Sequence, residues 1–480
     1  MPIPLSRLPL LLLSAVCGFP AAAALLIPAL ARAAYDPLTP IAPIIAPFDM
    51  PQLQRPVFPD RVINITDHGA VPGGEVKNTA SFTSAIAALD KMGGGRVLVP
   101  AGTWLTGPIH LRSNIELHLA QDAVLKFSDV IEDYLPVVFV RGGGIEFYNY
   151  SALIYARDCQ NIGVTGPGRL DGNARVWWDW KTKETREQFA MGAAGIPVEQ
   201  RIFGTREAAI RPSFINFIGC KNVLLEGFTI GSGPNWTIHP VYCENIIIRH
   251  VTVATSGPNN DGIDPDSCRN VLIEHCTFST GDDCVVLKSG YDQDGRRVAR
   301  PTENVVMRHS SSQRGHGGLV IGSEMSGSVR NVYMHDCDFE GTDRVLRIKS
   351  RPGRGGVVEN IFVENVTARA LKREVVILNM DYTSDPNAIV DTHPPVFRNI
   401  HVKKVAASGA PVAIRITGMD TSPIQNVTFE DVAIVAERGV VATFAKDISF
   451  VRTAITHTKG EPFELKSVTG LTVDGRPVSP

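Results

Sequence analysis

The stretch CKNVLLEGFTI (220–230) decides the fold, because the chain writes it again as CENIIIRHVTV (243–253) and CRNVLIEHCTF (268–278), with the asparagines 23 and 25 residues apart. Each copy holds a short run of alternating β-formers after the Asn, a turn, and a second short apolar run. Outward from these three, the theme returns in CQNIGVTG (159–166), TENVVMRHS (302–310), VRNVYMHDCDF (329–339), VENIFVENVTA (358–368), FRNIHVKKV (397–405) and IQNVTFEDV (424–432). Most steps between the asparagines lie between 23 and 39 residues, and the step from Asn161 to Asn222 is about two turns plus an insertion. A period of this size filled by strands alone is a solenoid signature. Leucine-rich repeats need a Leu ladder and propeller blades need longer units, so the pattern predicts an all-β, right-handed, single-stranded parallel β-helix. The repeated Asn is read as a turn residue bonded to backbone groups and tolerant of unusual dihedrals, a structural position and not a chemical one.

The first coil is predicted to begin near Val62. Residues 79–92 (TASFTSAIAALDKM) carry the one clear amphipathic helix, capped by Thr79 and ended by Gly93, Gly94 and Gly95. It covers the open end of the solenoid, where core and strand edges would otherwise face water. Residues 171–210 interrupt the repeat with a loop or short helix over one face. Trp177, Trp178 and Trp180 within it are read either as the insertion's own core or as a platform for sugar rings.

The N-terminus reads as an export signal at 1–33: Arg7, an apolar run from Leu8 to Leu30, and a small-x-small site at Ala31-Arg32-Ala33. A Pro-rich arm follows at 34–60, then the catalytic solenoid at 61–480. The expected product is a secreted protein, extracellular or periplasmic, with no membrane partner once the signal is gone and monomeric. The 480 residues carry a formal net charge of −2, which gives no ground for a nucleic-acid partner. Of eight cysteines, Cys17 leaves with the signal and seven remain. An odd number argues against a complete disulfide framework, and the regular placement of Cys159, Cys220, Cys243 and Cys268 suggests stacked, buried thiols. There is no C-x-x-C pair, and NNDGIDPD lacks the EF-hand spacing, so neither a metal nor a cofactor is expected.

Three segments, NNDGIDPDSC (259–268), TGDDC (280–284) and QRGHGG (313–318), lie at spacings that place them on successive coils, with RVLRIKS (344–350) one coil further on. Asp261, Asp282 and Asp283 sit amid apolar strand residues where bare charge is costly. One carboxyl can protonate a leaving glycosidic oxygen while another handles water. Gly281 suggests a bend that lets the adjacent Asp282 and Asp283 serve one cleft. Arg347 and Lys349 are an i, i+2 pair on one face; they balance the aspartates or hold a sugar carboxylate. His316, between glycines, orients an Asp or donates to substrate.

With these residues quoted, the chain resembles glycoside hydrolase family 28, the polygalacturonases, over about residues 60–460. Its four short motifs correspond to Asn259-Asn260-Asp261, Gly281-Asp282-Asp283, Gly315-His316-Gly317 and Arg347-Ile348-Lys349. The resemblance implies inverting hydrolysis of α-1,4-galacturonosidic bonds in pectin, with polygalacturonate or oligogalacturonides as partner. Asp282 resembles the general acid, Asp261 and Asp283 the pair that activates water, and His316 the residue that supports the acid's protonation. Arg347, Lys349 and Tyr382 resemble the carboxylate binders, and Asn259 joins them as a substrate contact. Asn260 stands where the family has Thr, which implies altered fine positioning. YNYSALIYA (148–156), LDGNARVWWDW (170–180) and NWTIHP (235–240) resemble the exo-acting branch, with Trp236 and His239 lining a blocked subsite. Endo action, a substituted galacturonan as substrate, a pectate lyase on the same fold and a non-catalytic carbohydrate-binding β-helix are the competing readings.

Overall fold

The computed structural model describes residue 36, residues 39–382 and residues 393–478. The export-signal reading at 1–33 and Cys17 lie outside the described residues. The chain from Val62 onward winds as a right-handed parallel β-helix. Residue Ile238 pairs with Ile263, Ile263 with Val285, Val285 with Leu319, Leu319 with Leu346, and Leu346 with Val376, all in parallel. Every member of that column is at most 1% exposed. A second sheet repeats the device through Val223, Ile246, Val271, Val305, Val332 and Ile361. Alternation along each strand sends these residues inward, and each buried aliphatic contributes about 1.5–3 kcal/mol.

The turn asparagines behave differently from expectation in one respect. All of them have positive φ, from 51° at Asn161 to 57° at Asn304, as the turn reading requires. Their side chains, however, bond to one another and not to the backbone. Asn222 Nδ2 donates to Asn161 Oδ1 at 3.0 Å, Asn245 to Asn222 at 3.1 Å, Asn270 to Asn245 at 3.0 Å and Asn304 to Asn270 at 3.1 Å, and the ladder runs on to Asn426. A parallel coil repeats the same position at the same height, so an amide with one donor end and one acceptor end can chain indefinitely. Asn114, not noticed in the repeat, begins the ladder by accepting from Asn161.

The capping helix spans Thr79–Lys91 and buries Phe82, Ala85, Ile86 and Leu89 over the first coil. Thr79 is its first residue and not its cap. Asn78 holds the cap position without a side-chain cap bond, while Thr79 Oγ1 accepts from Gly107 N at 2.7 Å. Cys220, Cys243 and Cys268 stack with no exposure and Cys159 is half-buried; the seven cysteines among the described residues are free thiols.

On the outward face of the second sheet, Leu224, Ile247, Leu272 and Val306 are apolar. Ile41, Ile44, Phe48 and Leu53 of the N-terminal arm pack over them. Arg308 pins the arm by donating to the carbonyls of Ala42 and Pro43 at 2.9 and 2.8 Å, and Arg55 pairs with Glu226 at 2.6 Å. Residues 171–210 form a 3-10 helix at Ala174–Thr182, a short α-helix at Glu187–Ala193 and a 3-10 turn at Val198–Gln200. Trp177 and Trp180 are its core, packed edge-on at 4.9 Å and against Tyr150, while Trp178 donates to Gly233 O. Burial rules out the sugar-platform reading for Trp177 and Trp180; Trp178 is partly exposed, and none of the three is among the residues that line the cavity holding Asp261 and Asp282.

Candidate active site

The outward face of the first sheet carries the site, and its register explains the clustering. Asp261 stands two residues before Ile263 and Asp283 two before Val285, so the two carboxylates occupy neighbouring coils about 4.8 Å apart. Arg347 pairs with Val320, whose neighbour is Val286. Arg347 and Lys349 thus stand two coils beyond Asp283, which meets them at 3.4 and 2.8 Å because its backbone lies before the regular strand.

Asp282 and Asp283 precede the strand Val285–Leu287 in non-strand backbone, which lets both reach one cleft. The bend demands glycine, since a Cβ on Gly281 would collide with the Gly257 carbonyl oxygen. Gly315 is required likewise: its Cβ would lie 2.5 Å from Cys284 Sγ. Arg314 braces this corner across coils, donating to Thr280 O at 2.9 Å and Thr255 O at 3.0 Å.

Asp282 Oδ1 lies 2.9 Å from His316 Nδ1, and Asn259 Nδ2 donates to Asp282 Oδ2 at 3.4 Å. Asp283, wholly buried, accepts from Lys349 at 2.8 Å and Arg347 at 3.4 Å. Tyr382 lies beside both cations, with each charge 5.4 Å from its ring centre. Acceptor atoms of Asp282, Asp283 and His316 lie within 4.8 Å of one another, a spacing a cation could use. Asp283 already answers two fixed cations there, so the trio does not require a metal. Asn260 is fully buried and clamps the loop with four bonds: it accepts from Thr255 Oγ1 and Gly257 N (2.9 Å), and donates to Gly233 O (3.1 Å) and Asn235 O (3.0 Å). It positions its neighbours Asn259 and Asp261 without meeting substrate.

Burial pushes the Asp261 carboxyl well above the usual carboxylate range, and the charges of Asp282 and Asp264 add to it. Asp264, fully buried, is raised in the same way. Asp261 Oδ1 and both Asp264 oxygens have no hydrogen-bond partner among the described residues. One proton shared between the two carboxyls would satisfy Asp261 Oδ1 and one of the Asp264 oxygens. Burial alone would also raise Asp282, but the hydrogen bond from His316 and the charge of Lys349 outweigh it and hold Asp282 below the normal range. Reciprocally, the Asp282 hydrogen bond raises His316.

Asp261, Asp282, His316 and Asn259 line a cavity of about 770 Å³, while Asp264 and Asp283 are fully buried and not among its lining residues. Arg347, Lys349, Tyr382 and Trp236 share its wall, while Lys181, Glu184, Arg186 and Phe189 of the insertion form another side. His239 does not line it. This ring is 1% exposed, lies edge-on to Trp236 at 4.8 Å, and is pushed below its ordinary pKa by burial. Four residues escaped the sequence reading. Asp264 was in the quoted NNDGIDPD, three residues past Asp261, but carried no separate signal. Lys288 closes the apolar run VVL and donates to Glu324 at 2.8 Å and Gly322 O at 3.1 Å, directly beneath the carboxylates it serves electrostatically. Glu324 and Arg211, far apart in the sequence, gave no local pattern at all.

A solenoid with a carboxylate trio opposed by cations in one cleft is a glycoside-hydrolase architecture for an acidic polysaccharide. The pattern of Glycosyl hydrolases family 28 matches residues 198–451. A "Probable polygalacturonase" of Vitis vinifera is 31% identical over 82% of this chain and 79% of its own length. The "Exo-poly-alpha-D-galacturonosidase" of Dickeya chrysanthemi is 28% identical over 88% and 75% respectively. The crystal structure of the hyperthermoactive exopolygalacturonase of Thermotoga maritima aligns with a TM-score of 0.81 at 43% identity, covering 84% of this chain and 94% of that one. The chain belongs to glycoside hydrolase family 28 and is an enzyme of the polygalacturonase type, hydrolysing galacturonan linkages. Among the described residues, no helix is long and apolar enough to cross a membrane.

Proposed function

We propose that the enzyme removes galacturonic acid from the non-reducing end of polygalacturonate, with inversion at the anomeric carbon. The observation that supports the exo reading is the insertion: its residues Lys181, Glu184, Arg186 and Phe189 line the same cavity as Asp261 and Asp282, and in this reading they close one end of the cleft to a running chain. Export to meet a polymeric substrate accords with the N-terminal signal.

In this reading Asp282 protonates the leaving glycosidic oxygen while Asp261 and Asp283 take a proton from water, whose oxygen attacks the opposite face of the sugar. Arg347 and Lys349, with Tyr382 beside them, hold a uronate carboxylate. The resting charges favour the reverse state, with Asp282 ionised and Asp261 neutral. Substrate supplies the correction. A bound carboxylate neutralises Lys349 and Arg347 and excludes water, which removes the influences holding Asp282 low and lets it take the proton kept by His316. Asp264, deeper than Asp261, retains the dyad's proton and donates it to Asp261 Oδ1, leaving the charge on the oxygen that faces water.

The test is the product profile from polygalacturonate at early time without added calcium. Free galacturonic acid alone is expected; a ladder of saturated oligomers overturns the exo reading and leaves the site roles standing. Asp282→Asn is expected to abolish turnover while oligogalacturonide binding persists, and near-normal turnover refutes the assignment of the acid.

A further inference from the structure

The cavity has cations on both flanks of its carboxylates, and the roles above use only one flank. Arg347 and Lys349 stand two coils beyond Asp283. On the other side Arg211 stands four residues before Ile215, which pairs with Ile238, itself the neighbour of Ile263 in the Asp261 coil. Its guanidinium reaches forward to the site, donating to Pro234 O (3.1 Å), Pro258 O (2.7 Å) and Asn259 Oδ1 (2.8 Å). Asn259 in turn contacts Asp282. Arg211 is 6% exposed and lines the cavity. Among the described residues neither it nor Lys181, the insertion lysine that also lines the cavity, has a carboxylate in salt-bridge contact; Glu184, with Asp261 for Arg211 and Asp282 for Lys181, attracts them from further off. Every other cation named at the carboxylates has an acidic partner: Lys349 and Arg347 have Asp283, and Lys288 has Glu324.

A buried guanidinium with carbonyl acceptors but no carboxylate in contact is costly to maintain, and burial outweighs the distant charges of Glu184 and Asp261 and pushes Arg211 down to about 10. Burial, then the charge of Arg211, lowers Lys181 as well. An anion placed between them relieves both penalties.

We propose that Arg211 and Lys181 form a second carboxylate-binding subsite, which holds the uronate on the side of the scissile bond opposite the one served by Arg347 and Lys349. The inference rests on the galacturonan reading and deepens it: both sugars flanking the bond must carry a free carboxylate, and a methyl ester on either is rejected. Because Lys181 belongs to the insertion, the element that closes the cleft also supplies part of the charge that recognises the terminal sugar.

The experiment measures kcat and KM for trigalacturonate in the full-length enzyme and, in the Asp282→Asn background, affinity for digalacturonate against its dimethyl ester. Lys181→Met removes an exposed side chain with no hydrogen bond, so folding is not at stake. It is expected to raise KM about tenfold and to narrow the preference for acid over ester by a similar factor. Arg211→Gln should do more, and Arg211→Lys should restore part of the loss. A structural role alone would weaken acid and ester equally, so an unchanged acid-to-ester ratio in both Lys181→Met and Arg211→Gln overturns the subsite while leaving wild-type cleavage intact. Failure of the wild type to cleave or bind any oligogalacturonide overturns the galacturonan reading itself, and this inference with it.

Discussion

Asn270 offers a direct test of what holds the coils in register. Its side chain donates to Asn245 at 3.0 Å and accepts from Asn304 at 3.1 Å, at φ 57°. Asn270→Ala removes two hydrogen bonds worth about 1 kcal/mol each and leaves a half-buried amide end unpaired on either side. It also leaves at φ 57° a residue without the short polar side chain that lets Asn tolerate a left-handed conformation, at about 1–2 kcal/mol. The sum is about 3–4 kcal/mol. Asn270→Gly loses the same bonds without the conformational term and should cost about 2 kcal/mol. At the end of the ladder Asn426 donates to Asn399 at 2.7 Å, and Asn426→Ala loses one bond and the conformational term, about 2–3 kcal/mol. Urea unfolding monitored by circular dichroism ranks the three. If the glycine variant is no more stable than the alanine variant, the backbone argument fails. If Asn426→Ala matches Asn270→Ala, the chained-amide argument fails.

Other outcomes follow from the buried charges. Asp264→Asn keeps a neutral hydrogen-bond donor beside Asp261 and should leave the acid limb of the kcat/KM–pH profile in place, whereas Asp264→Ala removes the donor and should move the limb to higher pH by about one unit, or ~1.4 kcal/mol; an unmoved limb in the alanine variant sinks the shared-proton dyad. Lys288→Met strands Glu324, which Lys288 and then Arg354 hold at about 2 against burial that would raise it. The variant should lose about 3–5 kcal/mol of stability, and adding Glu324→Gln should recover much of it. His250, His275 and His309 stack at 4.8 and 5.1 Å, each lowered first by burial, His250 to about 4. Groups that bind protons more readily when unfolded stabilise the fold fully above pH ~6.5 and lose that contribution as pH falls towards about 4. Melting temperatures across that window should fall less steeply in His275→Asn, a residue that tolerates the left-handed turn there.

The solenoid was legible because its constraint is periodic. One Asn per coil at a left-handed turn, followed by alternating aliphatics, leaves a mark that any stretch from 220 to 430 displays. The trio of aspartates was legible for the same reason, since a fixed coil length converts spacing into adjacency. What escaped was contact across unequal distances. Asn amides were expected to seek the backbone, because nothing local reveals that the neighbouring coil offers a side chain at the same height. Arg211 reaches Asn259 from two coils away, and its importance lies in having no carboxylate in contact, which no motif records. His239, placed in the cleft by its neighbourhood to Trp236, is covered: its ring lies edge-on against Trp236 and 3.7 Å from the buried Asp266. The tryptophans of the insertion were ambiguous because a ring that stacks on sugar and a ring that fills a core have the same composition and differ only in burial.

The N-terminal arm has a consequence for the order of events during synthesis. Its anchors lie at Leu224, Ile247, Leu272, Val306 and Arg308, more than 160 residues downstream of the segment they hold. As the chain emerges, the arm comes out early, has nothing to grip until about half of the protein has followed, and lacks its last anchors until about two thirds has. The coils can stack on one another as they appear, because each needs only its neighbour. The greasy outer stripe they build stays bare until the leading end folds back along it. The last fastening is thus made by nearly the first residues delivered, and a ribosome stalled before residue 308 would display both the stripe and its undocked cover.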